Sequence, residues 1–98
     1  MGFFSKPAFG DVEAYLKKGA IVLDVRTVAE YEEGHVEGSK HIVLDVLPDH
    51  VEELKALDKP IITCCRSGAR SGRAEEFLAS QGVDVINGGP WENVDQYI

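Results

Sequence analysis

The sequence predicts an α/β protein, a small parallel sheet flanked by helices on both faces. Three observations carry this. Short apolar runs rich in β-branched residues recur along the chain, amphipathic stretches with helix-start and helix-stop residues separate them, and the two patterns alternate. The 98 residues have the size of one small domain, predicted to span 1–98, with no repeat, low-complexity tract or linker.

The elements follow in chain order. "FGDVEAYLKKG" places Val12, Tyr15 and Leu16 on one helix face, with Asp11 as cap and Gly19 as stop. "AIVLDV" (Ala20 to Val25) reads as a buried strand, and "TVAEYEEGH" as a short helix opened by Thr27. "HIVLDV" (His41 to Val46) is a second, short strand. "PDHVEELKAL" gathers Val51, Leu54 and Leu57 on a helix with Asp49 near its start. "PIITCC" (Pro60 to Cys65) is a third strand, opened by a proline that a strand start tolerates. "SGRAEEFLASQG" is a helix with Ala74, Phe77 and Leu78 inward and a stop at Gly82. "VDVI" (Val83 to Ile86) is a fourth strand ending at Gly88-Gly89, and "WENVDQYI" closes as a short helix.

Composition narrows the function classes. The net charge of −7 argues against a nucleic-acid binder, which presents a basic face, and against an acidic membrane surface. No apolar run approaches the roughly 20 residues that cross a bilayer. "MGFFSKPAFGD" lacks an apolar segment long enough for a secretory signal, and Lys6 breaks the myristoylation pattern. A cytoplasmic chain is expected. Adjacent cysteines close no useful disulfide loop and lack the spacing of a zinc site, which fits a reducing compartment.

"CCRSGARS" lies between the third strand and its helix, where sites of open parallel sheets form. From Lys59 to Ala74 there is no acid but there are four bases: Lys59, Arg66, Arg70 and Arg73. Gly68 allows amide hydrogens to turn inward, Ser67 and Ser71 add hydroxyls, and the following helix points its N-terminus into the loop. The arrangement predicts an anion cradle with a thiol at its mouth. Helix N-termini and cations lower a cysteine pKa, and the thiolate is the nucleophile, able to attack sulfur or phosphorus.

At these residues the chain resembles a single-domain rhodanese. The family signature, a strand ending in cysteine and then Arg-Ser-Gly-x-Arg-Ser, reads here as Cys65-Arg66-Ser67-Gly68-Ala69-Arg70-Ser71. "LDVRTVAEYEEGHVEGSKHI" (Leu23 to Ile42) matches a second family element, and "NGG" a third, so the likeness runs from Ile21 to about Gly89. The resemblance implies a rhodanese-like three-layer fold and sulfur transfer, with no metal or organic cofactor. Cys65 would take a sulfane sulfur from a small sulfur-containing anion such as thiosulfate, or from a persulfide donor. It would then pass that sulfur from its own persulfide to cyanide, a thiol or a protein cysteine. The amides of Arg66, Ser67, Gly68, Ala69, Arg70 and Ser71 would hold the persulfide, and the Arg66 and Arg70 side chains would attract the donor. The family's first short strand would fall on "FSKPAF". Two positions depart from the pattern: Cys64, where an aromatic or β-branched residue is frequent, and Pro90-Trp91 directly after the Gly-Gly pair.

Two registers compete in the loop. Four residues separate Cys65 from Arg70, the sulfurtransferase spacing. Five separate Cys64 from Arg70, which matches the Cys-x5-Arg loop of protein tyrosine phosphatases and would suit a phosphatase or arsenate reductase. Strand alternation sends neighbouring side chains to opposite faces, so only one cysteine can enter the cradle. The signature is anchored on Cys65, and Thr63 stands where phosphatases carry histidine. Cys65 is therefore favoured, with Cys64 as core filler or, alternatively, a resolving thiol. A non-catalytic module presenting a surface to a partner is a further alternative. Asp24 and Arg26 are expected to form ion pairs holding the next helix, Arg26 with Glu30. His35 is expected to be scaffold, His41 and His50 to lie at the surface or a strand edge, and Trp91 to be a core lid. Phe3 and Phe4 are expected to pack on the sheet or to meet a partner.

Overall fold

The computed structural model describes residues 9–98. The first strand expected at "FSKPAF" and the packing of Phe3 and Phe4 lie outside these residues, apart from Phe9. The chain runs α1 (Val12–Lys17), β1 (Ile21–Asp24), α2 (Val28–Glu33) and β2 (Lys40–His41), then a 3-10 helix (Leu44–His50) that leads into α3 (Val51–Ala56). It continues through β3 (Ile61–Cys65), α4 (Ala69–Ser80), β4 (Val85–Pro90) and α5 (Trp91–Asp95).

The four strands form one parallel sheet in the order β2-β1-β3-β4. The expected α/β architecture, a parallel sheet between helices, is the one found. Each face carries its own core. Leu23, Ile61, Leu47, Leu54 and Leu78 pack on one side beneath the 3-10 helix, α3 and α4. Val12, Val22, Ile62 and Val94 pack on the other beneath α1 and α5. β3 is buried along its whole length, so it reads as a continuous apolar run rather than an alternating one.

Local chemistry explains the helix starts. Asp11 Oδ1 accepts the Ala14 amide at 3.0 Å, capping α1 as its sequence predicts. Thr27 and Glu30 form a reciprocal capping box on α2.

Three expectations about elements are corrected. The strand expected over His41 to Val46 is confined to Lys40–His41, and the chain winds into the 3-10 helix from Leu44. Leu44 and Leu47 both reach the same core cluster. A spacing of three puts them on one side of a 3-10 turn, whereas a strand would send them to opposite faces. Leu57, expected beside Val51 and Leu54, is exposed. The fourth strand does not stop at its glycines but runs Val85–Pro90, with a bulge at Gly88 and Gly89 where the register on β3 shifts between Thr63 and Cys65. A Cβ at Gly88 would come within 2.6 Å of Val94 and 2.7 Å of Ile62. Gly88 thus marks close approach of chain segments, while Gly89, at a φ of 84°, supplies the left-handed backbone of the bulge.

The strand order reverses between β1 and β3. Their carboxyl ends open side by side, at the topological switch point where an open parallel sheet forms a crevice.

Candidate active site

Strand alternation separates the two cysteines. On β3, Ile62 and Cys64 belong to the core cluster under α1 and α5, while Ile61 and Cys65 belong to the cluster under α4. Cys64 is enclosed among apolar side chains, and burial together with the nearby Asp24 carboxylate pushes its thiol well above the ordinary value.

Cys65 ends β3 and turns its sulfur into the loop that starts α4. Gly68, at a φ of 101°, reverses the chain there. Cys65 Sγ accepts the Gly68 amide at 3.0 Å and the Ser71 amide at 3.3 Å, and it lies 3.3 Å from Ser71 Oγ. Burial raises this thiol's pKa, but the hydroxyl and amide of Ser71 and the amides of Gly68 and Ser67 outweigh it, so the net shift is downward.

The position of the sulfur differs from expectation. It was expected at the mouth of the loop, yet Cys65 has no exposed surface. The sulfur lies on the floor because the first turn of α4 folds over it. Phe9 packs against the same turn: a Cβ at Gly68 would lie 2.6 Å from its ring.

The expected positive island is also smaller than the sequence implies. Lys59 sits at the amino end of β3, in a separate cavity of about 350 Å³ with Lys55, Asp58 and Asp84 among its walls. Arg73 lines another hollow beside Leu44 and Phe77. Arg70 is held bidentately by Glu30, at 2.7 Å and 2.9 Å, which joins α4 to α2. Arg66 is exposed and opens onto a cleft of about 280 Å³ with Arg26, Glu30, Glu33, Gly34, Trp91 and Glu92. Ser67 and Ala69 are exposed on the loop, and Ser71 is fully buried. The attraction for negative charge at the sulfur therefore comes chiefly from oriented amides, with guanidinium groups farther out.

Arg26 is not the partner of the Glu30 carboxylate. It binds Asp24 at 2.7 Å, both side chains being almost fully buried, and it donates to the carbonyls of Glu30 and Gly34. Only Val25 separates Asp24 from Arg26 across the turn after β1, so the pair closes locally while Glu30 swings toward Arg70. The Arg26 guanidinium lies 5.3 Å from the Trp91 ring, so Trp91 both covers the core and walls the cleft. His35 and His41 stack on either face of Tyr31 and bond main-chain carbonyls of Tyr31 and Arg26. His50 pairs with Glu53 at the surface.

Two residues to which the sequence assigns no part in the loop support it. Asn87, from the "NGG" of β4, donates to the Gly68 carbonyl at 3.0 Å and accepts from Ser71 Oγ at 2.7 Å. Thr63 Oγ1 lies 2.9 Å from the Ser71 carbonyl oxygen and donates to it. A lone hydroxyl inside an apolar strand was the available signal for Thr63. Among the described residues, no three of His, Cys, Asp and Glu converge to hold a metal ion.

A parallel α/β sheet, with a cysteine at the carboxyl end of a central strand and the amides of Gly68 and Ser71 turned onto its sulfur, defines a class of proteins that hold a cysteine sulfur at the start of a helix. Within that class the chain belongs to the Rhodanese-like domain family, which its residues 9–90 match. It is 36% identical over 68 residues to the thiosulfate sulfurtransferase GlpE of Stutzerimonas stutzeri, covering 69% of this chain and 62% of that protein. It is 34% identical over 74 residues to the thiosulfate sulfurtransferase GlpE of Pseudomonas fluorescens, covering 76% of this chain and 67% of that one. Among solved structures, the rhodanese-related protein of Thermoplasma volcanium superposes with a TM-score of 0.69 at 30% identity, over 88% of this chain and 85% of that one. The chain thus spans just under two thirds of the length of the Stutzerimonas relative.

Proposed function

We propose that this chain is a sulfurtransferase in which Cys65 carries the sulfur. The observation behind this reading is the pair of amide bonds, from Gly68 and Ser71, that meet at Cys65 Sγ. They favour the thiolate before the reaction and face the negative charge that forms during it. The Cys65 thiolate attacks the outer sulfur of thiosulfate. A new S–S bond forms to Sγ, the old one breaks, and its electron pair leaves on sulfite. The product is a Cys65 persulfide anion. An acceptor nucleophile (cyanide, a small thiol or a protein cysteine) then attacks the outer sulfur and returns the thiolate. A protein persulfide could replace thiosulfate as donor by the same displacement. The kinship to relatives named as thiosulfate sulfurtransferases supports the assignment. A reducing, cytoplasmic setting would suit it, and no helix among the described residues is long and apolar enough to cross a membrane.

Phosphoryl or arsenate chemistry through Cys64 is disfavoured by the raised pKa of that thiol and by its place in the opposite core. One observation favours a non-catalytic interaction module, namely the closed floor over Cys65. Thiosulfate-to-cyanide transfer and aryl-phosphate hydrolysis, measured for wild type, Cys64→Ser and Cys65→Ser, separate the readings. Sulfur transfer is expected to survive in C64S and vanish in C65S, with no phosphate hydrolysis in any of them. Intact mass after thiosulfate treatment is expected to rise by one sulfur atom and to fall back with cyanide. Wild-type protein that neither gains the sulfur nor forms thiocyanate would leave only the interaction module.

A further inference from the structure

Two polar groups beside Cys65 have no task in the displacement above: the Ser71 hydroxyl and the Asn87 carboxamide. Ser71 is fully buried, and its Oγ lies 2.7 Å from Asn87 Oδ1 and 3.3 Å from Cys65 Sγ. Main-chain partners fix the orientation of the carboxamide. Its Nδ2 donates to the Gly68 carbonyl at 3.0 Å, and its Oδ1 accepts the Gly89 amide at 2.9 Å. The atom facing Ser71 is therefore an acceptor only, while a serine hydroxyl has a single hydrogen to give.

Two arrangements satisfy every group. With Cys65 protonated, Ser71 donates to Asn87 Oδ1, and the Cys65 S–H donates to Ser71 Oγ. With Cys65 ionised, the hydroxyl turns about its Cβ–Oγ bond and donates to the sulfur, while Asn87 Oδ1 keeps the Gly89 amide. The thiol proton goes to solvent, and no proton passes between the residues. Neither arrangement strands a buried polar atom, which would cost more than a hydrogen bond gains. The same logic covers the persulfide, whose charge lies on the outer sulfur, so that the hydroxyl hydrogen again belongs on Asn87.

Building on the sulfur-carrier reading, we propose that Asn87 is a positioning residue that acts through Ser71. It holds the hydroxyl hydrogen while Sγ is uncharged and yields it when Sγ becomes the thiolate. The other groups bearing on that sulfur are Arg70 of α4, itself tied to Glu30 of α2, and the neutral Cys64 of β3.

The test uses readouts that need no sulfur transfer. The Gly89 amide and Asn87 carboxamide protons are followed by NMR through the neutral range in wild type and Ser71→Ala, and Cys65 ionisation is measured in parallel by iodoacetamide alkylation. In wild type both sets of resonances should move with the Cys65 midpoint. In S71A the cysteine should still ionise, at a higher pH, while those resonances stay flat. Resonances that track Cys65 equally in S71A, or that stay flat in wild type, overturn the proposal. In Asn87→Ala, the alkylation midpoint should fall by roughly half a pH unit, about one neutral hydrogen bond, because the hydroxyl has lost its competing acceptor. A midpoint that stays put or rises, as a loosened loop would make it, also overturns the proposal. If N87A fails to fold, the NMR comparison decides alone. Thiosulfate turnover that proves absent while these shifts appear as expected would sink the sulfur-carrier reading and leave the hydroxyl switch intact.

Discussion

The thiols of neighbouring cysteines on one strand are shifted in opposite directions, and the cause is the face each one occupies. Peptide mapping after alkylation near neutral pH should find the label on Cys65 and little on Cys64. The Cys65 rate should reach half its plateau below the pH of an ordinary thiol, in keeping with its lowered pKa. Equal labelling of both sites would contradict this. Glu30 offers a second prediction. Its hydrogen bonds from Arg70, opposed by partial burial and aided by Thr27, hold its carboxyl at about 2, against an ordinary 4.5. The folded value is the lower one, so the pair stabilises the protein above about pH 4.5, and that stability is lost as the pH falls through about 2. Glu30→Gln should cost on the order of 1–2 kcal/mol at neutral pH in urea unfolding, and the gap to wild type should close in acid. The same change releases Arg70 and, if the proposed sulfurtransferase assignment holds, should lower the KM for thiosulfate. The sequence displays Cys65, Arg66 and Arg70 in one short signature, and all three do stand at the loop. It does not display that Glu30, 40 residues earlier, neutralises Arg70, because that contact exists only once α2 and α4 come together.

Among the elements, those whose determinants are local were readable. Asp11 and the Thr27–Glu30 box start their helices through contacts within three residues. The misread segments are those decided by tertiary contact. β2 and the 3-10 helix share an apolar run that periodicity cannot divide, and the shared burial of Leu44 and Leu47 divides it. β4 carries two glycines because Val94 and Ile62 press against the chain at Gly88 and the backbone turns left-handed at Gly89. Gly88→Ala should therefore destabilise by about 1–3 kcal/mol through overpacking, measured as a lower midpoint in chemical unfolding. A neutral effect would show that α5 yields more readily than its packing implies. Thr63→Val removes the bond from β3 to the Ser71 carbonyl and should cost about 1 kcal/mol, and under the proposed function it should also slow sulfur transfer.

At the scale of the whole molecule, one buried ion pair joins the parts around the cleft. Arg26 ties the end of β1 to the Glu30 and Gly34 carbonyls of α2 and its C-cap, and it lies over Trp91 of α5. Asp24→Ala would leave that guanidinium buried without its counter-charge, and a loss of about 3–5 kcal/mol is expected in denaturant unfolding. A loss under about 1 kcal/mol would mean that solvent reaches the site. The sheltered floor beneath the first turn of α4 has a kinetic corollary. A sulfur without accessible surface reacts only during excursions in which the covering chain parts, and such excursions have their own frequency. A slender electrophile slips through shallow openings, while a bulky maleimide must wait for deep ones. Labelling by the bulky reagent should therefore stop accelerating with concentration well before labelling by a small one does, and that ceiling would time the breathing of the resting protein.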